Sequence, residues 1–162
     1  MLKQSTILLL FVVSLTFITQ AQKKIPTVDD LLNVKSLGGA QISPDGRWVA
    51  YTVTETDFKQ NAYVTHVWLA NAQTGRTLQL TRGEKSAGNP QWSPDSEWLA
   101  FTSNRIGDKN QIFALHPDGG EAVQLTKTEN GVNGFAWSRD GKSLAVVRDN
   151  STTDLVLIQN FR

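Results

Sequence analysis

The sequence predicts an all-β fold: an incomplete β-propeller of about three four-stranded antiparallel blades, the last one partial, after a signal peptide and a short helix. Three observations predict it. A strand–turn–strand unit is written three times, as Ala40-Gln-Ile-Ser-Pro-Asp-Gly-Arg-Trp-Val-Ala-Tyr-Thr52, as Pro90-Gln-Trp-Ser-Pro-Asp-Ser-Glu-Trp-Leu-Ala-Phe-Thr102, and as Phe135-Ala-Trp-Ser-Arg-Asp-Gly-Lys-Ser-Leu-Ala-Val146. Its serines, Ser43, Ser93 and Ser138, lie 50 and 45 residues apart, a period that belongs to solenoids, propellers and arrays. A second half-repeat, ending in Leu80-Thr81 and again in Leu125-Thr126, completes a four-strand meander in each of the first two units, which is the pattern of a propeller blade.

Taken in order, residues 1–21 read as a leader. A short start carrying Lys3 precedes the apolar run Ile7–Ile18, and Thr19-Gln-Ala21 puts small residues at the −3 and −1 positions of a cleavage site, the three-part pattern of a secretory signal. As a helix the run reaches roughly 18 Å, short of the roughly 30 Å hydrocarbon core of a bilayer. Export to the periplasm or the exterior, with no membrane attachment after cleavage, is the expectation.

Residues 22–38 read as an N-terminal segment with a short helix. Thr27 and Asp30 have the spacing of a capping box, and Asp29 and Asp30 suit the positive end of a helix. Leu31, Leu32 and Val34 offer an apolar face, and Gly38-Gly39 offers a stop about two or three turns on.

Residues 39–162 read as the partial propeller, with blades at about 39–86, 87–131 and 132–162. Each blade opens with a short strand, at Ala40–Ile42, Pro90–Trp92 and Gly134–Trp137. Ser43-Pro44-Asp45-Gly46 fits a type I turn, with Ser first, Pro setting φ and Gly at the exit. Ser96 replaces the glycine in the second copy and Arg139 the proline in the third, each a slight weakening of the turn. Second strands follow at Trp48–Val53, Trp98–Thr102 and Ser143–Val147, and third strands at Tyr63–Ala70, Gln111–Leu115 and Asp154–Ile158. Fourth strands are expected at Thr77–Thr81 and Ala122–Thr126. The stretch from Tyr51 to His66 is five residues longer than that from Phe101 to Gln111, an insertion assigned to a hairpin tip. A closed propeller has at least four blades, and three leave exposed edges. The expectation is therefore an N-terminal fragment, with self-association through the open edges as one consequence.

Composition excludes several classes of function. Sixteen Lys+Arg face fifteen Asp+Glu with no basic run, so nothing points to nucleic acid. Cysteine is absent, which removes disulfides, thiolate metal sites and lipid-modified cysteine.

Together, Ile25-Pro-Thr-Val-Asp-Asp-Leu-Leu32, Gln41-Ile-Ser-Pro-Asp-Gly-Arg-Trp-Val-Ala-Tyr51, Leu99-Ala-Phe-Thr-Ser-Asn-Arg105 and Gly119-Gly-Glu-Ala-Val-Gln-Leu-Thr126 resemble the opening of bacterial prolyl oligopeptidase family serine peptidases, nearest the acylaminoacyl-peptidase and dipeptidyl-peptidase-like branch. A single Ser-Pro-Asp-Gly blade is shared with TolB-like propellers. The resemblance implies a propeller that gates peptide access to an α/β-hydrolase domain with a Ser-Asp-His triad and a Gly-x-Ser-x-Gly elbow. That elbow does not occur in these 162 residues. The peptide substrate would thus be met through a hydrolase domain missing from this chain, and a TolB-like propeller that binds a protein partner is the alternative.

No catalytic, cofactor-binding or metal-ligating residue is assigned, and no cofactor is expected. His66 and His116 occupy different places in their blades and read as surface residues. Asp45, Asp95 and Asp140 read as turn residues bonding their own backbone, and Trp48, Trp68, Trp92, Trp98 and Trp137 as packing between blades. Arg105 is the most plausible functional polar side chain, a cation that could meet a peptide carboxylate, weighed against a solvated turn.

Overall fold

The computed structural model describes residues 25–148 and 155–159; the leader and its cleavage site lie outside them. Three antiparallel sheets form among these residues. Blade 1 is β1 (Ser36–Ile42), β2 (Trp48–Asp57), β3 (Ala62–Asn71) and β4 (Thr77–Gln79), in that order across the sheet. Blade 2 repeats the order with β5 (Ala87–Trp92), β6 (Leu99–Ser103), β7 (Gln111–Leu115) and β8 (Val123–Gln124). Blade 3 contributes β9 (Val132–Trp137), β10 (Ser143–Arg148) and β11 (Leu155–Gln159). The first strands of successive blades lie against one another, β1 on β5 and β5 on β9. The sheets do not close into a ring, so the propeller is incomplete, as the repeat count implies.

The first strands begin earlier than the sequence suggests, because each carries a bulge. The ladder shifts register between Gly38 and Gln41 in β1 and between Gly88 and Gln91 in β5. Gly39 and Asn89 hold the left-handed backbone there, at φ 59° and 50°, the conformation that glycine and then asparagine tolerate best. Gly38-Gly39 is therefore not a helix stop. The helix α1 spans only Val28–Leu32 and ends at Asn33, shorter than the expected two or three turns. Its apolar residues Val28, Leu31 and Leu32, with Val34 beyond, are exposed rather than packed.

The insertion in blade 1 is ladder rather than loop. β2 and β3 pair without a break from Trp48 opposite Asn71 to Asp57 opposite Ala62. The extra length anchors the segment around α1. Thr56 Oγ1 donates to the Leu32 carbonyl at 2.6 Å, and Lys35 pairs with Glu55 at 2.7 Å.

The fourth strands are short for a local reason. Past the end of β4, the Thr81 hydroxyl accepts from the Val67 N–H at 2.9 Å, and Thr126 does the same for Ile112 at 2.8 Å. A buried side chain thus takes over from the backbone ladder, and this is why Leu-Thr recurs.

Two apolar cores lie between blades. Leu99 and Phe101 of β6, with Phe113 and Leu115 of β7, face blade 1 and meet Ala50, Val67 and Leu69. Ala100, Ile112 and Ala114 point the other way and meet Val132, Phe135, Leu144 and Val146 of blade 3. Adjacent residues serve opposite cores because side chains alternate along a strand. Burying each large apolar side chain stabilises by about 1.5–3 kcal/mol, so the blade junctions carry most of the packing energy.

Candidate functional site

The three repeat turns share one hydrogen-bond pattern. In the first, Ser43 Oγ donates to Asp45 Oδ1 at 2.6 Å and accepts from the Trp48 N–H at 2.9 Å, while the Arg47 N–H donates to the same carboxylate at 3.0 Å. Ser93 and Asp95 repeat this with the N–H groups of Trp98 and Glu97, and Ser138 and Asp140 with those of Ser143 and Lys142. The Ser43 hydroxyl, then the Arg47 N–H and guanidinium, hold the Asp45 carboxyl down to about 2. The Asp140 carboxyl is lowered by the Ser138 hydroxyl and then the Lys142 N–H. The carboxylates are thus bound to their own turns, as the sequence reading holds.

The tryptophans split by role. Trp92 is buried in the first core, and its Nε1–H donates across the junction to the Gln41 carbonyl at 3.0 Å. Trp137 repeats the bond to the Gln91 carbonyl at 3.3 Å. Trp48 packs on the first core and Trp98 on the second, where the Trp98 and His116 rings meet at a tilt of 39° with centroids 3.7 Å apart. Trp68 stacks on Tyr51 at 6.5 Å on the outer face of blade 1, away from both cores.

His66 is not a surface residue. It is 5% exposed, its Nδ1 lies 3.4 Å from Thr81 Oγ1, and its ring bonds the Gly83 backbone. Gln111 does the same work in blade 2, where its Oε1 accepts from Thr126 at 2.8 Å and its Nε2 donates to the Thr128 carbonyl at 2.7 Å. Burial pushes the His66 imidazole below its ordinary value. His116 is exposed, with Nδ1 2.8 Å from the Glu97 carbonyl oxygen. The two histidines are in separate settings, and among the described residues no group of three or more His, Asp or Glu forms a metal-binding cluster.

Arg105 is more than a solvated turn residue. Its guanidinium carbon lies 5.2 Å from the Phe101 ring centre and 5.0 Å from that of Phe113, so it caps the rim of the first core. Partial burial lowers its pKa. Asp29 and Asp30 belong to α1, where Thr27 and Asp30 form the reciprocal capping box, at 3.1 and 2.9 Å. No pair of these side chains is arranged as nucleophile and base. What the residues build is a stack of blades joined by repeated junctions.

Sequence reasoning missed two members of those junctions. Ser96 Oγ accepts from the Asp45 N–H across the first junction at 3.0 Å, and the departure from glycine at that position was the available signal. Gln91 Nε2 donates to the Phe135 carbonyl at 2.9 Å, across the second.

Comparison with known proteins agrees with this architecture. The chain is 38% identical over 124 residues to an uncharacterized peptidase, YuxL, of Bacillus subtilis, covering 76% of this chain and 19% of that protein. It is 28% identical over 129 residues to dipeptidyl-peptidase 5 of Porphyromonas endodontalis, covering 80% of this chain and 18% of that one. The chain therefore spans about a fifth of the length of these relatives. Its fold matches the acylaminoacyl peptidase of Pyrococcus horikoshii with a TM-score of 0.60 at 22% identity, over 71% of this chain and 17% of the other. The family profile described as TolB beta propeller domain matches residues 18–162. With its three repeated, unclosed blades, the chain belongs to the TolB beta propeller domain family.

Proposed function

We propose that this chain is the N-terminal propeller portion of a secreted or periplasmic serine peptidase of the prolyl oligopeptidase type, acting on short peptides. The observation that carries the reading is the 38% identity over 124 residues to a protein named as a peptidase. The resemblance of the segment from Ile25 to Tyr51 and of the ordered blades to that family supports it. In this role the propeller does no chemistry. Blade 2 is buried on both faces, β7 along its whole length, which makes the blades a stiff wall. A stiff wall over an active site admits flexible peptides and excludes folded chains by size. The nucleophile, its base and the oxyanion donors belong to a hydrolase domain.

The alternative is a TolB-like propeller that binds a protein partner and catalyses nothing; the family profile supports it equally. One experiment separates the two. The native gene product carrying residues 25–148, captured with an antibody to that segment, is treated with a serine-directed fluorophosphonate. Covalent labelling that a competing short peptide substrate suppresses is the expected result. A folded product that takes no label ends the peptidase reading and leaves the binder.

A further inference from the structure

The connection from β4 to β5 is a strap that crosses the rim of the first junction beside His66. Its two ends are held in the fold. Thr81 is 2% exposed and its Oγ1 accepts from the Val67 N–H at 2.9 Å, while the Ser86 Oγ accepts from the Thr65 N–H at 3.1 Å. Its middle, residues 82–85, is exposed. Two contacts reach that middle, Gln60 Nε2 to the Glu84 carbonyl and Lys85 Nζ to Asp108 Oδ1, each at 3.4 Å. Exposed ion pairs contribute little. Gly83 sits at φ 103°, a backbone that glycine adopts freely. His66 and Gly83 line a cavity of about 370 Å³ together with Glu55, Asp57, Lys59 and Val64.

Blade 2 builds the same connection with a different latch. By the offset of 45, Gln111 stands for His66, Thr126 for Thr81 and Thr128 for Gly83. Gln111 Oε1 accepts from Thr126 Oγ1 at 2.8 Å and from the Thr128 N–H at 3.0 Å, and its Nε2 donates to the Thr128 carbonyl at 2.7 Å. An amide keeps one accepting end and one donating end at every pH. A neutral imidazole copies it. The ring bonds the Gly83 backbone, and Nδ1 lies 3.4 Å from Thr81 Oγ1. Thr81 Oγ1 already accepts from Val67, so the bond that completes the copy runs from the Thr81 hydroxyl to a bare Nδ1. A protonated ring has two donors and no acceptor, and the hydroxyl proton of a buried threonine then loses its partner. The first latch has fewer and longer bonds than the second, and it depends on one nitrogen staying unprotonated.

We propose that residues 81–85 form a proton-released strap: when the His66 ring takes up a proton on Nδ1, Thr81 lets go, the strap lifts, and the rim between blades 1 and 2 opens. The surroundings of the ring set the balance. Burial weighs most against a charged ring, Glu55 of β2 favours one, and Arg105 from blade 2 opposes it. Glu55 is already paired with Lys35 at 2.7 Å. Asp57 and Lys59 line the cavity with opposite signs, and the Asp57 carboxylate accepts from the Lys59 and Gln60 N–H groups. On the strap itself, Arg82 and Lys85 flank Glu84. Lifting the strap returns water to the ring and removes the cost of burying its charge. Opening therefore grows more favourable as pH falls below the value of a solvated imidazole, about 6.5. The strap lies within the described blades, so the proposal holds whether the whole protein is a peptidase or a binder.

The test is residue-resolved amide hydrogen exchange on the 162-residue chain at about pH 7.5 and about pH 5, corrected for the intrinsic pH dependence of exchange. The Val67 N–H, bonded to Thr81 Oγ1, and the Leu80 N–H, bonded to the Val67 carbonyl, report the strap. The Ile112 and Leu125 N–H groups, bonded to Thr126 Oγ1 and the Ile112 carbonyl, are their counterparts in blade 2. Protection of Val67 and Leu80 should fall about tenfold in acid, while that of Ile112 and Leu125 holds. His66→Gln should abolish the acid response and keep the protection seen near neutrality. A second measurement needs no variant: nitrogen NMR of the native chain should find Nδ1 of His66 bare at neutral pH. Protection of Val67 and Leu80 that is the same at both pH values, a loss shared equally by Ile112 and Leu125, an acid response that survives His66→Gln, or a neutral ring with its proton on Nδ1 overturns the proposal.

Discussion

The backbone N–H of Asp45 donates to the Oγ of Ser96 across the first blade junction, at 3.0 Å. Ser96 takes part at a conformational cost. It holds φ at 64°, where the matching residues of the other two turns, Gly46 and Gly141, hold 72° and 70°. A non-glycine residue in that region costs about 1–2 kcal/mol, and a hydrogen bond returns about 0.5–1.5 kcal/mol. Ser96→Ala keeps the strain and loses the bond, so it should destabilise by about 1 kcal/mol. Ser96→Gly loses both and should stay close to wild type. Urea unfolding midpoints rank the three chains, and a glycine variant less stable than the alanine variant would contradict this account.

Trp92 and Trp137 make the same bond with unequal burial. Trp92→Phe removes the donor to the Gln41 carbonyl and leaves space in the first core, at a cost of about 1–3 kcal/mol. Trp137 is half-buried and its bond is longer, at 3.3 Å, so Trp137→Phe should cost less than about 1 kcal/mol. Thermal unfolding of the two variants should show the larger drop for Trp92.

His66 should make stability depend on pH near neutrality. Its folded pKa is lowered, chiefly by burial, with Glu55 acting against and Arg105 adding to the shift, while the unfolded value is about 6.5. The unfolded chain therefore takes up the proton first. Stability is fully present above about 6.5 and is lost as pH falls from there toward the folded pKa. His66→Gln installs the side chain that blade 2 uses at Gln111. It should match wild type at pH 7.5 and exceed it at pH 5.5 in urea unfolding. Parallel curves at the two pH values would show that burial of the imidazole is not coupled to folding.

Asp45 sets a second window, in acid. Its carboxyl is held at about 2 when folded, against an unfolded value of about 3.9. The turn's contribution is present above about 3.9 and is lost as pH falls through about 2. Asp140 is shifted in the same direction. Asp45→Asn should flatten the acid limb of the stability curve, read by circular dichroism between about pH 4 and pH 2, and the double variant with Asp140→Asn should flatten it further.

The reach of the sequence can be judged from particular residues. Ser43, Asp45 and their two sets of repeats were legible because each bonds a backbone N–H within five residues. Gly38-Gly39 was misread as a helix stop, since a helix end and a bulge ask for the same left-handed backbone and look alike locally. The insertion between Tyr51 and His66 was misplaced because extra residues with strand-forming side chains extend a ladder as readily as they loosen a tip. His66 gave no sign of burial, because the threonine beside it lies fifteen residues on.

By itself the sequence determined the repeat unit, its turns and the order of its strands, all set by hydrogen bonds and side-chain alternation over short spans. Only the tertiary structure decided which faces are cores and which stand open, and which residues join blades. The partners of Trp92, Ser96 and Trp137 lie 46 to 51 residues away. A contact over that distance exists only once two sheets have been brought face to face, and nothing in the local chain marks it beforehand.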